Sequence, residues 1–113
     1  MKEFLLVFRN DPEVMAARTE EEIHATGKKW MDWMGGIAAQ NKLVSKGNRL
    51  FPNGKVVKPG NVVTDGPYTE IKETIGGYSI IKSDSYEEAV DLAKGCPIYV
   101  IGGNVEVREI NEM

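Results

Sequence analysis

The first apolar run covers residues 3 to 9. Phe4-Leu5-Leu6-Val7-Phe8 is hydrophobic at every position, and Asn10-Asp11-Pro12 stops it. A short apolar run closed by turn residues predicts a central strand that is buried on both faces. Thr19-Glu20-Glu21-Glu22 has the form of a capping box, in which the Thr19 hydroxyl accepts from the backbone N–H of Glu22 and the Glu22 carboxylate reaches back. Three acidic residues also suit the positive end of a helix. Ile23, Trp30, Met34 and Ile37 then recur at helical spacing, and Trp33 broadens the stripe, so a long helix is expected to about Asn41. Gly27, Gly35 and Gly36 weaken it by about 1 kcal/mol each relative to alanine, which points to close packing on a sheet or a kink.

Residues 43 to 50 read as a weak strand, and Gly47 inside it signals a bulge or a close backbone contact. Asn53-Gly54 predicts a tight turn. Val56-Val57 and Val62-Val63 bracket a second turn, Lys58-Pro59-Gly60-Asn61, so this stretch is a small lateral hairpin or an excursion from the sheet. Gly76-Gly77 opens a strand from Tyr78 to Lys82. Ser85-Tyr86-Glu87-Glu88 is a second capping box, starting a helix whose Tyr86, Ala89, Val90 and Ala93 face the core; Gly95 and Pro97 end it. Residues 98 to 101 are a short turn or extended piece, and Val105 to Ile110 alternates as a strand with one wet face.

The order is that of a ferredoxin-like βαββαβ domain. It is an α+β fold with an antiparallel sheet, both helices on one face, and an extra short hairpin. The other sheet face is left uncovered, although the first strand is apolar on both sides. Stacking with a second copy resolves this mismatch, so a homodimer is expected; the alternative is a single chain with a modestly polar open face.

Composition narrows the partners. A chain of 113 residues suits one domain, 1–113. The net charge is -3 and the charges are mixed, so nothing favours a nucleic-acid partner. No apolar run approaches the roughly 20 residues of a membrane span, and the N-terminal run lacks the small-residue cleavage site of a secretory signal. A cytoplasmic location is expected, which suits the lone Cys96. One cysteine and one histidine fall short of a Zn or Fe–S ligand set, and no dinucleotide or phosphate-loop fingerprint follows a strand. Neither a metal nor a cofactor is expected.

The segment Asp65-Gly66-Pro67-Tyr68-Thr69-Glu70-Ile71-Lys72-Glu73 resembles the hallmark of the YCII-related proteins of the DGPF type. Gly76-Gly77-Tyr78, Glu88-Ala89, Cys96-Pro97 and Gly103-Asn104-Val105-Glu106-Val107-Arg108 resemble that family too, so the likeness spans nearly the whole chain. Tyr68 stands where phenylalanine is more usual. The resemblance implies a ferredoxin-like subunit assembled as a dimeric α+β barrel, with a cleft between the sheet, the long helix and the hallmark loop. It implies no single function. Distant relatives of the barrel include dehydrochlorinases and lactone isomerases, and some DGPF-type proteins are linked by gene context to alternative sigma factors.

Asp65 in its turn can accept backbone N–H groups two residues on, or stand at the mouth of the cleft as a general base. His24 is the only histidine, so any histidine chemistry falls to it. An Asp65–His24 pair is the sharpest catalytic hypothesis, set against a plain exposed helix histidine. Glu70, Lys72 and Glu73 are either a solvated loop or ligand contacts, with Lys72 and Arg49 as anion holders. Tyr68 and Tyr78 can line an apolar pocket with a polar tip. Three functions follow: metal-independent acid–base chemistry of the isomerase or lyase kind on a small acidic metabolite, a non-catalytic ligand-binding or regulatory interaction module, or a vestigial cleft.

Overall fold

The computed structural model describes residues 1–66 and 74–112. The N-terminal apolar run forms β1 (Lys2–Asn10), followed by a short helix α1 (Pro12–Ala16) and the long helix α2 (Glu20–Ala39). Then come β2 (Leu43–Ser45), β3 (Gly54–Lys58), β4 (Val62–Gly66), β5 (Thr74–Ser83), α3 (Tyr86–Ala93), a 3-10 turn (Pro97–Ile101) and β6 (Asn104–Glu109). Four strands make one antiparallel sheet in the order β2-β5-β1-β6, and β3 and β4 pair separately as a hairpin.

Strand alternation divides β1 between two environments. Phe4, Leu6 and Phe8 point to the helices. Phe4 lies opposite Ile81, Leu6 opposite Ser79 and Val107, and Phe8 opposite Gly77 and Val105. With Ile37, Ala89, Ala93, Cys96 and Ile98 they form the core. Each large apolar side chain buried there contributes about 1.5–3 kcal/mol. Trp30 and Trp33 meet the edge of Phe8 at centroid distances of 5.0 and 6.0 Å. The Trp33 indole donates to the Leu92 carbonyl at 2.9 Å, tying α2 to α3. Lys42, just before β2, pairs with Glu88 of α3 at 2.5 Å.

The opposite sheet face overturns the expected assembly. Of the apolar residues of β1 only Leu5 and Val7 fall on it, in a row with Glu3 and Arg9. Val7 is 8% exposed and sits between Tyr78 and Glu106 in register. Leu5 sits between Ile80 and Arg108. Glu106 takes the Arg9 guanidinium at 3.2 Å and that of Arg108 at 3.2 Å, so the face carries an ion cluster and tolerates water. The dimeric α+β barrel expected from the sequence is therefore corrected. The sheet is open and uncurled, β2 and β6 are its two edges, and the molecule is a slab of 44 × 43 × 18 Å. The α+β class and the four-stranded antiparallel sheet stand.

Three local expectations also change. Ile23 is 42% exposed, and buried Thr26 takes the inward position at that end of α2. The α2 glycines do not serve close packing, since a Cβ at Gly27, Gly35 or Gly36 would meet open space. Asn53-Gly54 makes no left-handed turn; the positive φ values of the hairpin are at Gly60 and Asn61, between β3 and β4. By contrast Gly47 is a true close approach. Its φ is 69° and a Cβ there would collide with the Tyr78 carbonyl, because residues 46 to 50 cross directly over β5. There the Ser79 hydroxyl donates to the Lys46 carbonyl at 2.7 Å, and the Tyr78 N–H donates to the Asn48 carbonyl at 3.2 Å.

Gly35→Ala and Gly36→Ala are accordingly expected to stabilise the fold by about 1 kcal/mol each, raising Tm by about 4 °C. Gly47→Ala is expected to cost about 2 kcal/mol or more. Thermal and urea melts of the three variants read both signs.

Candidate functional site

Asp11-Pro12 ends β1 but also begins a helix. The Asp11 carboxylate accepts from the Glu13 N–H at 2.9 Å and Pro12 occupies the first turn, so α1 forms where the sequence suggested only a break. Thr19 then caps α2, accepting from the Glu22 N–H at 3.1 Å. The bend between the two helices, closed on its third side by the 3-10 turn, leaves a groove of about 510 Å³. Its walls are aliphatic: Val14 and Ala17 on one side, Val100 and Ile101 on the other, and Ala25 on α2.

The polar lining comes from Arg18, Glu22, Thr26 and Lys29. Thr26 is 6% exposed and fully satisfied. Its hydroxyl donates to the Glu22 carbonyl at 2.9 Å and accepts from Arg18 Nη2, which also donates to the Glu22 carbonyl at 3.0 Å. These bonds hold the Arg18 guanidinium along the first turns of α2. Its Nε and Nη1 have no partner among the described residues, and neither do the Lys29 ammonium and the Glu22 carboxylate. The capping box at Thr19 is thus only half made. Glu22 does not fold back on the Thr19 N–H, and its carboxylate is left at the groove.

The residues singled out by sequence lie elsewhere. Asp65, in β4, has a side chain 95% exposed, and its carboxylate pairs across the hairpin with Lys55 at 3.0 Å. His24 is exposed on α2 without a partner among the described residues. The structure joins Asp65 to Lys55 rather than to His24. Arg49 is exposed and bridges to Gly77 in the backbone crossing over β5. Tyr78, next along β5, is half-buried on the open face, and its hydroxyl accepts from the Asn48 amide at 3.2 Å. Arg49 and Tyr78 therefore share one corner of the sheet. Tyr68, Glu70, Lys72 and Glu73 lie outside the described residues. None of the four described candidates lines the groove. The sequence did carry one signal for it: an N-capping aspartate followed by proline marks a helix start as well as a strand stop.

Cys96 is 3% exposed, and burial pushes its thiol up to about 12, so it remains neutral and unreactive at ordinary pH. Among the described residues no group of three histidine, cysteine, aspartate or glutamate side chains could hold a metal ion. No described helix is long and apolar enough to cross a membrane.

Two outcomes follow from these environments. Cys96 is expected to resist alkylation by iodoacetamide at pH 8 in buffer and to react fully in 8 M urea, as read by mass spectrometry. Hydrogen bonds from Arg108 and Arg9 hold the Glu106 carboxyl below its ordinary value. The stabilisation is therefore present above the unfolded pKa and is lost as pH falls through the lower, folded one. Arg9→Met is expected to lower the urea midpoint at pH 7 and to narrow the gap to wild type at pH 3.

Comparison with known proteins places this architecture. A model of the YCII-related domain matches residues 2–113. No curated protein sequence matches the chain. The match runs from the first residue of β1 through the end of the sheet and takes in the groove-forming segments α1, α2 and the 3-10 turn, and on that ground the chain belongs to the YCII-related domain family.

Proposed function

We propose that this chain is a DGPF-type member of its family that binds a small anionic metabolite without transforming it, in the groove between α1, α2 and the 3-10 turn. The observation that carries the reading is the pair of cations, Arg18 and Lys29, that face aliphatic walls with no carboxylate partner among the described residues. Pockets of about 300–1,000 Å³ with apolar walls and a few placed polar groups are the usual form of small-ligand sites. The planar guanidinium of Arg18 suits a carboxylate, and its bonds to Thr26 and the Glu22 carbonyl hold it in place before any ligand arrives.

A catalytic reading has less support. General acid–base work needs groups that converge on one reacting atom. Asp65 is engaged by Lys55 in solvent, His24 stands apart, and Cys96 is buried and neutral. The DGPF assignment rests on the resemblance of the segment from Asp65 to Glu73.

Titration calorimetry of the full chain with succinate and with 2-oxoglutarate tests the proposal. Binding is expected, with Arg18→Gln or Lys29→Gln weakening it at least tenfold, a loss of about 1.4 kcal/mol or more. Asp65→Asn and His24→Ala are expected to leave the affinity unchanged. Absence of heat with either acid, or a loss of binding confined to the Asp65 and His24 variants, would overturn it.

A further inference from the structure

The carboxylate of Glu22 is out of place in a site built for a plain anion, because it would repel the ligand that Arg18 and Lys29 attract. Its presence there is not forced by helix capping, since its carboxylate makes no capping bond. The equivalent glutamate of α3 shows the contrast. Glu88 also follows an N-cap serine, yet Lys42 takes its carboxylate and the charge is neutralised. Glu22 has no such partner among the described residues.

Resting on the anion-binding reading above, we infer that the ligand is an acidic α-amino acid with a short carbon chain, carrying two carboxylates and one ammonium. Glu22, Ala25, Thr26 and Lys29 lie at positions i, i+3, i+4 and i+7 of α2, so they share one helix face. Glu22 and Lys29 are about 10 Å apart along the axis, at opposite ends of that row. Arg18 Nη2 is held against the middle of that row by its bonds to the Glu22 carbonyl and the Thr26 hydroxyl. The Glu22 end of the groove therefore suits an α-ammonium, with the α-carboxylate on Arg18 next along the row. The other end offers Lys29 alone, which suits a distal carboxylate. Between them Ala25, Val100 and Ile101 provide an apolar bed for the methylenes. The lining charges sum to one positive, and an amino dicarboxylate carries one net negative.

Titration calorimetry with L-glutamate and L-2-aminoadipate, against 2-oxoglutarate (no ammonium) and L-norvaline (no distal carboxylate), tests the assignment. One of the two amino dicarboxylates is expected to bind at least tenfold tighter than either comparison ligand. Glu22→Gln is expected to abolish the preference over 2-oxoglutarate, and Lys29→Gln the preference over norvaline. Neither side chain has a bonded partner among the described residues, and circular dichroism of both variants checks that they remain folded. If 2-oxoglutarate binds as tightly as the amino acids, or Glu22→Gln changes nothing, the amino-acid assignment fails while the anion site survives. If no ligand binds at all, both readings fail together.

Discussion

Every pairing that joins the two halves of the main sheet passes through β1. It is hydrogen-bonded to β5 on one side and β6 on the other, and its alternation decides which side chains the helices cover. A slip of one residue would turn Phe4, Leu6 and Phe8 to the open face and bring Leu5 and Val7 under the helices. The same register sets Glu106 between Arg9 and Arg108 on the open face, where one carboxylate bridges two guanidiniums. It also positions the groove. β6 begins opposite Arg9, and Gly103 just before it lets the 3-10 turn close against the end of β1. A Cβ at Gly103 would stand 2.5 Å from Ile98 and 2.6 Å from the Arg9 carbonyl. Val100 and Ile101, which wall the groove, are carried there by that contact.

The two capping sequences show how tertiary context redirects a local motif. Thr19 and Ser85 both cap as their sequences suggest, each accepting from the N–H three residues on. Neither glutamate completes the reciprocal bond. Glu88 finds Lys42, which chain reversal after α2 brings beside α3, and the pair links the start of β2 to α3. Glu22 meets Arg18 through its backbone carbonyl, and its carboxylate and two of the guanidinium nitrogens have no partner among the described residues. Unpaired charges of both signs beside aliphatic walls are what give the groove its selectivity in the reading argued above.

The legible part of this site and the hidden part differ in sequence separation. Asp11-Pro12, the Thr19 cap and the polar row Glu22, Thr26, Lys29 are local, and each was open to a helix-based reading. That Val100 and Ile101 stand across from that row, some 70 residues later in the chain, is a matter of how β6 pairs with β1. The Asp65 segment drew attention because its residue types are distinctive. The cross-strand register of the hairpin, which places Lys55 opposite Asp65, then engages the carboxylate in an exposed pair.

From the sequence alone came the order of the sheet strands, the hairpin and the helices α2 and α3, the two N-caps, a bulge or close backbone contact at Gly47, the likeness to the YCII-related family and the buried character of the first strand. These depend on neighbours within a few residues, where alternation, helical period and capping chemistry act directly. Tertiary structure alone decided that the sheet stays open, that an ion cluster and Tyr78 share the face expected to need a partner, and that α1 and the 3-10 turn come to flank Arg18, Glu22 and Lys29. Each of these turns on which distant strands pair and in what register, and a register is set by the packing of the whole sheet against its helices rather than by any one segment of the chain.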